Sequence, residues 1–326
     1  MTLATIVVPA FNVSRTLPDT LKALLAQTYN HFEIVVVDDG SSDGTLAIAQ
    51  SFTGDPRLRI IRQPNRGLAG ARNTGIAAAH GRFIGFCDAD DLWDPQKLET
   101  HVRHLQANPH VGISFSGSQL IDDNGRPMRL AQKPRLRGVD PEHVLKRNPI
   151  GNGSAPVIRK AVFDEIAYRP AHEASRDWYF DETFRQSEDI ECWLRIALTT
   201  DWTIVGVPGL LTKYRINAGG LSASTDNQLA AWERMVAKLT PISPDFFAKH
   251  VNAARAYQLR YLCRRAVSDL DLSKARMLAD AWLQTSYRPF IEEPRKSLVT
   301  YAAVVAMRMA GPRTIRGMMA LSAGLA

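Results

Sequence analysis

The chain has 326 residues, 45% of them hydrophobic, enough to bury a sizeable core in one large domain or two unequal ones. Its three cysteines, Cys87, Cys192 and Cys263, are far apart and form no CxxC pair, which argues against a disulfide framework or a cysteine zinc site and fits a reducing, cytosolic compartment. The net charge of +7 sits wholly in the last third, where 15 Lys/Arg face 8 Asp/Glu from Leu221 onward, against 25 and 25 before it.

The opening run, MTLATIVVPAFN, has no basic segment ahead of its apolar stretch and no small-residue cleavage site. It therefore reads as a first strand and not as an export signal. Short β-branched runs then alternate with helix-period segments: strand TIVVPA, helix RTLPDTLKALLAQ, strand FEIVVVDD, helix GTLAIAQSF, strand LRIIRQ, helix GLAGARNTGIAAAH and strand RFIGFCDAD. Runs apolar on both faces, such as Ile34 to Val37, predict a parallel sheet with helices on each side. Ligands bind such sheets beyond the carboxyl ends of the strands. That rule selects Phe11 and Asn12, Asp38 to Ser42, and Asp88 to Asp91.

From His110 to Arg215 the pattern loosens into a strand at VGISFSG, a basic loop from Arg126 to Gly138, a strand at SAPVIR, a polar, aromatic-rich stretch from Tyr168 to Phe184, a helix at SEDIECWLRIALT and a strand at TIVGV. Beyond Leu221 helical periods dominate, as in NQLAAWERMVAKL and AARAYQLRYLCRRAVSDL, with a boundary near Gly219-Gly220. After Glu293 there are five basic residues, Arg295, Lys296, Arg308, Arg313 and Arg316, and no acidic ones. Interleaved with apolar stretches, they suit an anionic membrane face, the bland alternative being a basic helix packed on its own protein. Arg308 and Gly311-Pro312 interrupt the tail too soon for it to span a bilayer.

Three acidic motifs carry the chemistry. In FIGFCDADDLWDP an apolar strand ends in three carboxylates, Asp88, Asp90 and Asp91, whose repulsion a divalent cation relieves. Oxygen-only ligands favour Mg²⁺ or Mn²⁺. The alternative is an N-cap with an acidic first turn, and Asp94 is best explained that way. In VVVDDGSSDGT one of Asp38 and Asp39 is placed to accept from a base or ribose edge, while Asp43 reads as a helix cap. NRGLAGARNTG offers Arg66 and Arg72 to phosphates or a base, although its small residues also serve close helix packing. Glu188-Asp189, ahead of a helical run, is either a capping group or a general base. His101 and His104 lie at i, i+3 and read as solvent-facing, not as a zinc pair.

In order, VVPAFN, QTYNHFEIVVVDDGSSDGT, PNRGLAGARNTGIAAAHGRFIGFCDADD, YFDETFRQSEDIECWLR and KYR resemble the motifs of the family 2 glycosyltransferases, from Thr5 to about Arg215. The resemblance implies a GT-A fold: an α/β architecture with a mixed, mostly parallel sheet flanked by helices, here followed by a C-terminal helical region. Residues 1–110 would be the nucleotide-sugar half, 111–219 the acceptor and catalytic half, and 220–326 the helical region, a contact for membrane or for a homo-oligomer. By resemblance, Pro9, Ala10, Phe11 and Asp39 hold the base, with Phe11 stacking and Asp39 reading its edge, and Arg72 lies near the nucleotide. Asp88-Ala89-Asp90 is the DXD motif, with Asp90 the direct ligand of Mn²⁺ or Mg²⁺ and Asp88 nearer the ribose or metal-bound water. Asp189 is the catalytic base and Glu188 its rival.

Two departures from the family pattern matter. Where a histidine often follows Tyr-Arg by two residues, this chain has Asn217, leaving more of the diphosphate contact to Arg215. There is also no QxxRW motif and no membrane span, which favours transfer of a single sugar over processive synthesis. The implied activity is inverting transfer from a nucleotide-diphosphate sugar, UDP favoured, to a glycan or lipid-linked glycan acceptor in cell-surface polysaccharide synthesis. The expected place is the cytoplasm, peripheral on the inner face of the membrane, with no nucleic-acid partner. The basic loop Arg126 to Arg137 and the rings of Trp178, Tyr179 and Phe180 are acceptor candidates by surface chemistry. The competing class is a non-catalytic sugar-nucleotide-binding or scaffold protein on the same fold. A nicotinamide dehydrogenase is excluded because the first strand leads to PAFNVSRT and not to GxGxxG.

Overall fold

The computed structural model describes residues 2–216 and 225–311. The chain divides into two compact units, one of Met1–Val144 with Asn148–Ala223, the other of Leu145–Arg147 with Ser224–Ala326.

In the first unit, β1 (Ala4–Ala10), α1 (Leu17–Leu25), β2 (Phe32–Asp38), α2 (Thr45–Ser51), β3 (Leu58–Arg62), α3 (Gly67–Ala78) and β4 (Phe83–Phe86) follow the βαβ alternation read from the sequence. After them come β5 (Leu92–Trp93), α4 (Lys97–Ala107), β6 (Val111–Ile121), β7 (Pro127–Gln132), α5 (Pro141–Lys146), β8 (Val157–Arg159), α6 (Lys160–Ile166), α7 (Glu188–Thr199) and β9 (Thr203–Arg215). The strands form one mixed sheet in the order β3-β2-β1-β4-β8-β6-β9-β5, with β7 added beside β6. β3, β2, β1 and β4 are mutually parallel, and β8 joins β4 antiparallel.

Alternation along β1 explains why helices cover both faces. Ile6 and Val8 join a core with Leu17, Leu21 and Leu24 of α1 and Leu98, Val102 and Leu105 of α4. Val7, pointing the other way, meets Gly75 of α3. A Cβ built on Gly75 would lie 2.2 Å from Val7 Cγ1, so α3 approaches the strand as closely as it does only because no side chain is there. Gly75→Ala is expected to lower unfolding free energy by about 1–3 kcal/mol through overpacking, despite the better helix propensity of Ala. A shift of the urea midpoint at unchanged m-value measures it.

The basic loop expected from the sequence is in fact a hairpin. Asn124-Gly125 turns β6 into β7, with Gly125 at φ 79°. Asp122 Oδ1 accepts from Asn124 N and Arg126 N at 2.9 and 2.8 Å. The Asn-Gly turn signal outweighs the Pro and basic residues that suggest a loop.

The second unit is helical: α8 (Thr225–Leu239), α9 (Pro244–Ser268), α10 (Leu272–Thr285), α11 (Arg288–Glu292) and α12 (Pro294–Ala310). Leu259, Leu262 and Cys263 of α9, Leu278 and Trp282 of α10, and Val304 and Met307 of α12 share its core. Trp282 and Phe290 stack with centroids 4.7 Å apart. Leu145–Arg147 belong to this unit through Trp232 Nε1, which donates to Leu145 O at 3.1 Å, and Lys146 Nζ, which donates to Glu292 Oε2 at 2.6 Å.

Candidate active site

The carboxyl ends of β1 and β2 are joined where Asp39 N donates to Ala10 O at 2.9 Å. Pro9 and Ala10 are buried in the strand, whereas Phe11 stands 48% exposed just beyond it. Asn12 turns the chain away at φ 52° and accepts from Ser42 N at 2.9 Å. A half-exposed ring beside a closed polar turn has one face available for stacking. Asp39 is the opposite case, only 2% exposed. Its Oδ1 accepts from Gln63 Nε2 (2.6 Å) and Arg66 N (2.9 Å), and its Oδ2 from Gly67 N (2.8 Å) at the start of α3. A carboxylate offers about four acceptor positions, so three donors fix its orientation and leave room for one more.

At the end of β4 the three carboxylates are unequal. Asp88 and Asp90 are half-buried, while Asp91 is fully buried. Burial, aided by the charges of Asp90 and Asp88, pushes the Asp91 carboxyl well above the usual range. Asp91 Oδ1 accepts from Arg215 N at 2.9 Å, so its work is internal. Arg215, 5% exposed, donates from Nε to Asp90 O at 2.8 Å and from NH1 to Asp122 O and Asp123 O at 2.9 Å each. It clamps the backbone under the acidic run. Asn217, the position expected to replace a histidine, lies outside the described residues. Asp94 does not cap α4 directly: Gln96 is the N-cap residue, and Asp94 Oδ1 accepts from Gln96 N at 3.0 Å, one turn of loop earlier. Asp43 likewise acts just ahead of α2, accepting from Thr45 N at 2.9 Å.

Among the described residues no three His, Cys, Asp or Glu side chains gather as a metal-ligand set. A Mg²⁺- or Mn²⁺-nucleotide site needs only one or two carboxylates, because water and phosphate supply the rest. The half-buried oxygen pair Asp88 and Asp90 fits that requirement, and the buried Asp91 does not.

Arg72 joins the acidic motifs. It is 2% exposed, and its NH2 donates to Asp88 Oδ1 at 2.9 Å while its NH1 donates to Glu188 Oε1 at 2.8 Å. Burial opposes the guanidinium charge, but Asp88, Glu188 and Asp189 outweigh it and lift the Arg72 pKa above its usual value. Gly153 closes over this bridge, since a Cβ there would lie 2.1 Å from Arg72 NH2.

α7 starts at Glu188, after Ser187 in a left-handed conformation at φ 63°. Glu188 is buried against Arg72, whereas Asp189 beside it is only partly buried. Asp189 Oδ1 accepts from Ile190 N at 2.8 Å and Oδ2 from Asn148 Nδ2 at 2.9 Å. Asn148 Oδ1 in turn accepts from Ile150 N (3.0 Å) and Gly151 N (3.2 Å), which commits the amide nitrogen to Asp189. Burial pushes Glu188 up to about 7, with Arg72 opposing and the Asp189 charge assisting. Burial also raises Asp189, against the pull of Arg72, Ile190 N and Asn148. The pair therefore has one carboxylate tied to a cation and one, partly exposed, held by Ile190 N and Asn148 Nδ2.

Other expectations need correcting. Trp178, Tyr179 and Phe180 are 4, 7 and 1% exposed, because Phe180 packs edge-on to Phe86 and Trp193 behind the sheet. These rings are core and are not open to an acceptor. His101 is fully buried, against the expectation that it faces solvent, whereas His104 is half-buried; their Nδ1 atoms lie 2.7 and 2.8 Å from Ser114 Oγ, so the two histidines share one hydroxyl. Arg66 is paired with Glu182 at 2.9 Å and with Glu173.

Other residues of the site go unannounced in the motifs. Asn148, Gly153 and Ser154, whose Oγ accepts from Asp88 N at 2.9 Å, come from the Asn- and Gly-dense run Asn148 to Ser154, a local signal that could have found them. Asn73 pins the segment before α7, accepting from Phe180 N at 2.8 Å and donating to Glu182 Oε1 at 2.9 Å. A single Asn inside a helix gives no such signal.

A sequence model of the family described as glycosyl transferase family 2 matches residues 5–167. The Escherichia coli protein WfgD, named as a UDP-Glc:α-D-GlcNAc-diphosphoundecaprenol β-1,3-glucosyltransferase, is 27% identical over 228 residues, 70% of this chain and 82% of its own length. An uncharacterised glycosyltransferase of Rickettsia bellii (strain RML369-C) is 28% identical over 243 residues, 73% of this chain, and the chain spans 34% of that protein. The crystal structure of S. aureus TarS 1-349 in complex with UDP-GlcNAc matches with a TM-score of 0.59 at 18% identity, over 94% of this chain and 92% of that one. The likeness in fold establishes a GT-A architecture, as the motif order implied.

Proposed function

The chain belongs to glycosyl transferase family 2, a family of transferases acting on nucleotide sugars, and from that premise we propose that it transfers one sugar with inversion from a UDP-sugar to a hydroxyl of a lipid-linked glycan, in cell-surface polysaccharide synthesis. The observation that carries this reading is the Arg72 bridge, which joins Asp88 of the donor motif to Glu188, the neighbour of Asp189, through one guanidinium.

In this proposal the ring of Phe11 stacks on the base while Pro9 and Ala10 form the strand end beneath it. The remaining acceptor position of Asp39 takes a donor of the base edge. Asp90, with Asp88, would hold a Mn²⁺ or Mg²⁺ ion that supplies positive charge to the diphosphate as it leaves. Asp189 accepts the proton of the acceptor hydroxyl. The hydroxyl oxygen bonds to the anomeric carbon from the face opposite the diphosphate, and the electron pair of the breaking C–O bond leaves on the diphosphate oxygen. Arg72 keeps Glu188 out of that role by pairing with it. Arg215 fixes the backbone of Asp90, and its approach to the diphosphate belongs to the same proposal. A UDP donor is supported by the likeness to WfgD, whose name specifies UDP-Glc, and to TarS, crystallised with UDP-GlcNAc. A lipid-linked acceptor is supported by the diphosphoundecaprenol-bound sugar in the name of WfgD. No helix among the described residues is long and apolar enough to cross a membrane, and we place the enzyme peripherally on the cytoplasmic face through its basic helical unit.

Asp90→Ala is expected to remove the Mn²⁺-dependent part of UDP-sugar affinity, a loss of about tenfold or more if the ion contributes a charge-assisted contact worth at least about 1.4 kcal/mol. Calorimetric titration with and without Mn²⁺ measures it, and equal affinity in both, in wild type and variant, would sink the metal assignment.

A further inference from the structure

The first half of α12 turns hydroxyls inward and apolar side chains outward. Ser297 and Thr300 are 0 and 5% exposed and lie inward with Val304 and Met307, while Leu298, Val299 and Met309 are 58, 70 and 85% exposed. Its buried hydroxyls are satisfied: Ser297 Oγ accepts from Arg260 NH1 at 3.0 Å and donates to Pro289 O at 2.6 Å, and Thr300 Oγ1 donates to Lys296 O at 2.8 Å. At 100° per residue, Arg295, Leu298, Val299, Ala302 and Met309 form one stripe opposite the buried side. A surface helix of a soluble protein ordinarily shows the reverse, its apolar stripe inward.

The charges along α12 are one-sided, with Arg308 sharing a pocket on one flank with Arg276 and Asp280 of α10. From Pro294 to Ala310 there is no acidic residue, and Arg295, Lys296 and Arg308 are exposed. The acids just before the helix are engaged: Glu292 with Lys146, Tyr257 and Arg288, and Glu293 with Arg147, Arg260 and Lys296. A second copy of the same face would oppose base to base, whereas a layer of lipid phosphates is complementary to it.

We propose that the outer face of α12 seats on an anionic phospholipid surface, with Leu298, Val299 and Met309 entering the acyl boundary, Arg295 on the same stripe meeting the phosphates, and Lys296 and Arg308 flanking the stripe on its two sides. This rests on the peripheral-membrane reading above and names the surface that performs it. At 17 residues the helix lies along the interface.

The test is flotation of the full chain with vesicles of phosphatidylcholine plus phosphatidylglycerol, or of phosphatidylcholine alone. Wild type is expected to float with the mixed vesicles only. The double variant Arg295→Gln/Lys296→Gln should lose on the order of tenfold or more in partition, about fivefold for each charge near the surface. The triple variant Leu298→Ser/Val299→Ser/Met309→Ser should also stay behind, with wild-type Tm and donor binding in both variants. If wild type floats and both variants float equally, α12 is the wrong surface although the membrane reading stands. If wild type does not float at all, both fail. A wild-type dimer in lipid-free sedimentation that the triple variant converts to monomer would give the face to a second copy and overturn the proposal.

Discussion

Asp189→Asn should lower the rate of sugar transfer by about 10²- to 10⁴-fold, the usual contribution of a positioned general base. Donor affinity should hardly change, because the substitution keeps the shape of a side chain held by Ile190 N and Asn148 Nδ2. Glu188→Gln tests the rival assignment. Glu188 is fixed to Arg72 at 2.8 Å, so its loss should act on stability and donor-site geometry more than on proton transfer. A Glu188→Gln variant with the greater loss of kcat and an unaltered Tm would exchange the two roles. The pH dependence has a definite sign. The base works ionised, and burial raises Glu188 to about 7 and Asp189 above its ordinary value, so the rising limb of kcat belongs to the coupled pair and lies above the usual carboxylate range. Asn148→Ala removes a donor to the ionised form of Asp189 and should move that limb to higher pH.

Arg72→Met is expected to destabilise the protein by about 3–5 kcal/mol, the cost of removing one partner from a buried ionic group. Its side chain is only 3% exposed, as is fitting for a contact little screened by water, and Glu188 beside it is 8% exposed. Without the guanidinium two carboxylates face each other unpaired. The sign with pH follows: Glu188 already titrates near 7 in the wild type and higher still in the variant, so the Glu188 part of the stability gap opens as the pH rises through about 7 and closes below it. Urea denaturation of wild type and variant at mildly acid and mildly alkaline pH measures both the gap and its direction. A variant as stable as wild type at both pH values would show that the bridge contributes nothing, and a gap of the same size at both would remove the Glu188 part. Arg72→Lys should not rescue it, because a single ammonium cannot reach two carboxylates with two separate donors.

Much of this molecule is legible residue by residue, and the misreadings have two causes, a masked local signal and packing by distant residues. Ile34 to Val37 announce a strand buried on both faces because the period and β-branching are local properties. The Asn124-Gly125 turn is equally local, but the basic residues around it mask the signal. His101 is different. Nothing near it in the chain states that Ser114 will lie 2.7 Å away or that its helix face will be covered. Trp178, Tyr179 and Phe180 look like a surface aromatic group in a polar stretch, and only their packing against Phe86 and Trp193 makes them core.

Local sequence is enough to place Phe11, Asp39 and Asp88 to Asp90 just beyond strand ends, since strand periodicity and the rule that ligands meet the carboxyl ends of parallel strands need only neighbouring residues. It also determined the family, through the order of its motifs. Tertiary structure alone decided what divides the carboxylates from one another: Asp91 buried under Arg215, Glu188 bound to Arg72, Asp189 held by Asn148 and partly open. Arg72 and Glu188 are 116 residues apart, and no local pattern encodes which of two adjacent acids an arginine from a different helix will reach. That choice is made by the closure of the sheet and the direction each side chain leaves its helix, and it sets the burial and charge that separate a carboxylate locked in a bridge from one left partly open.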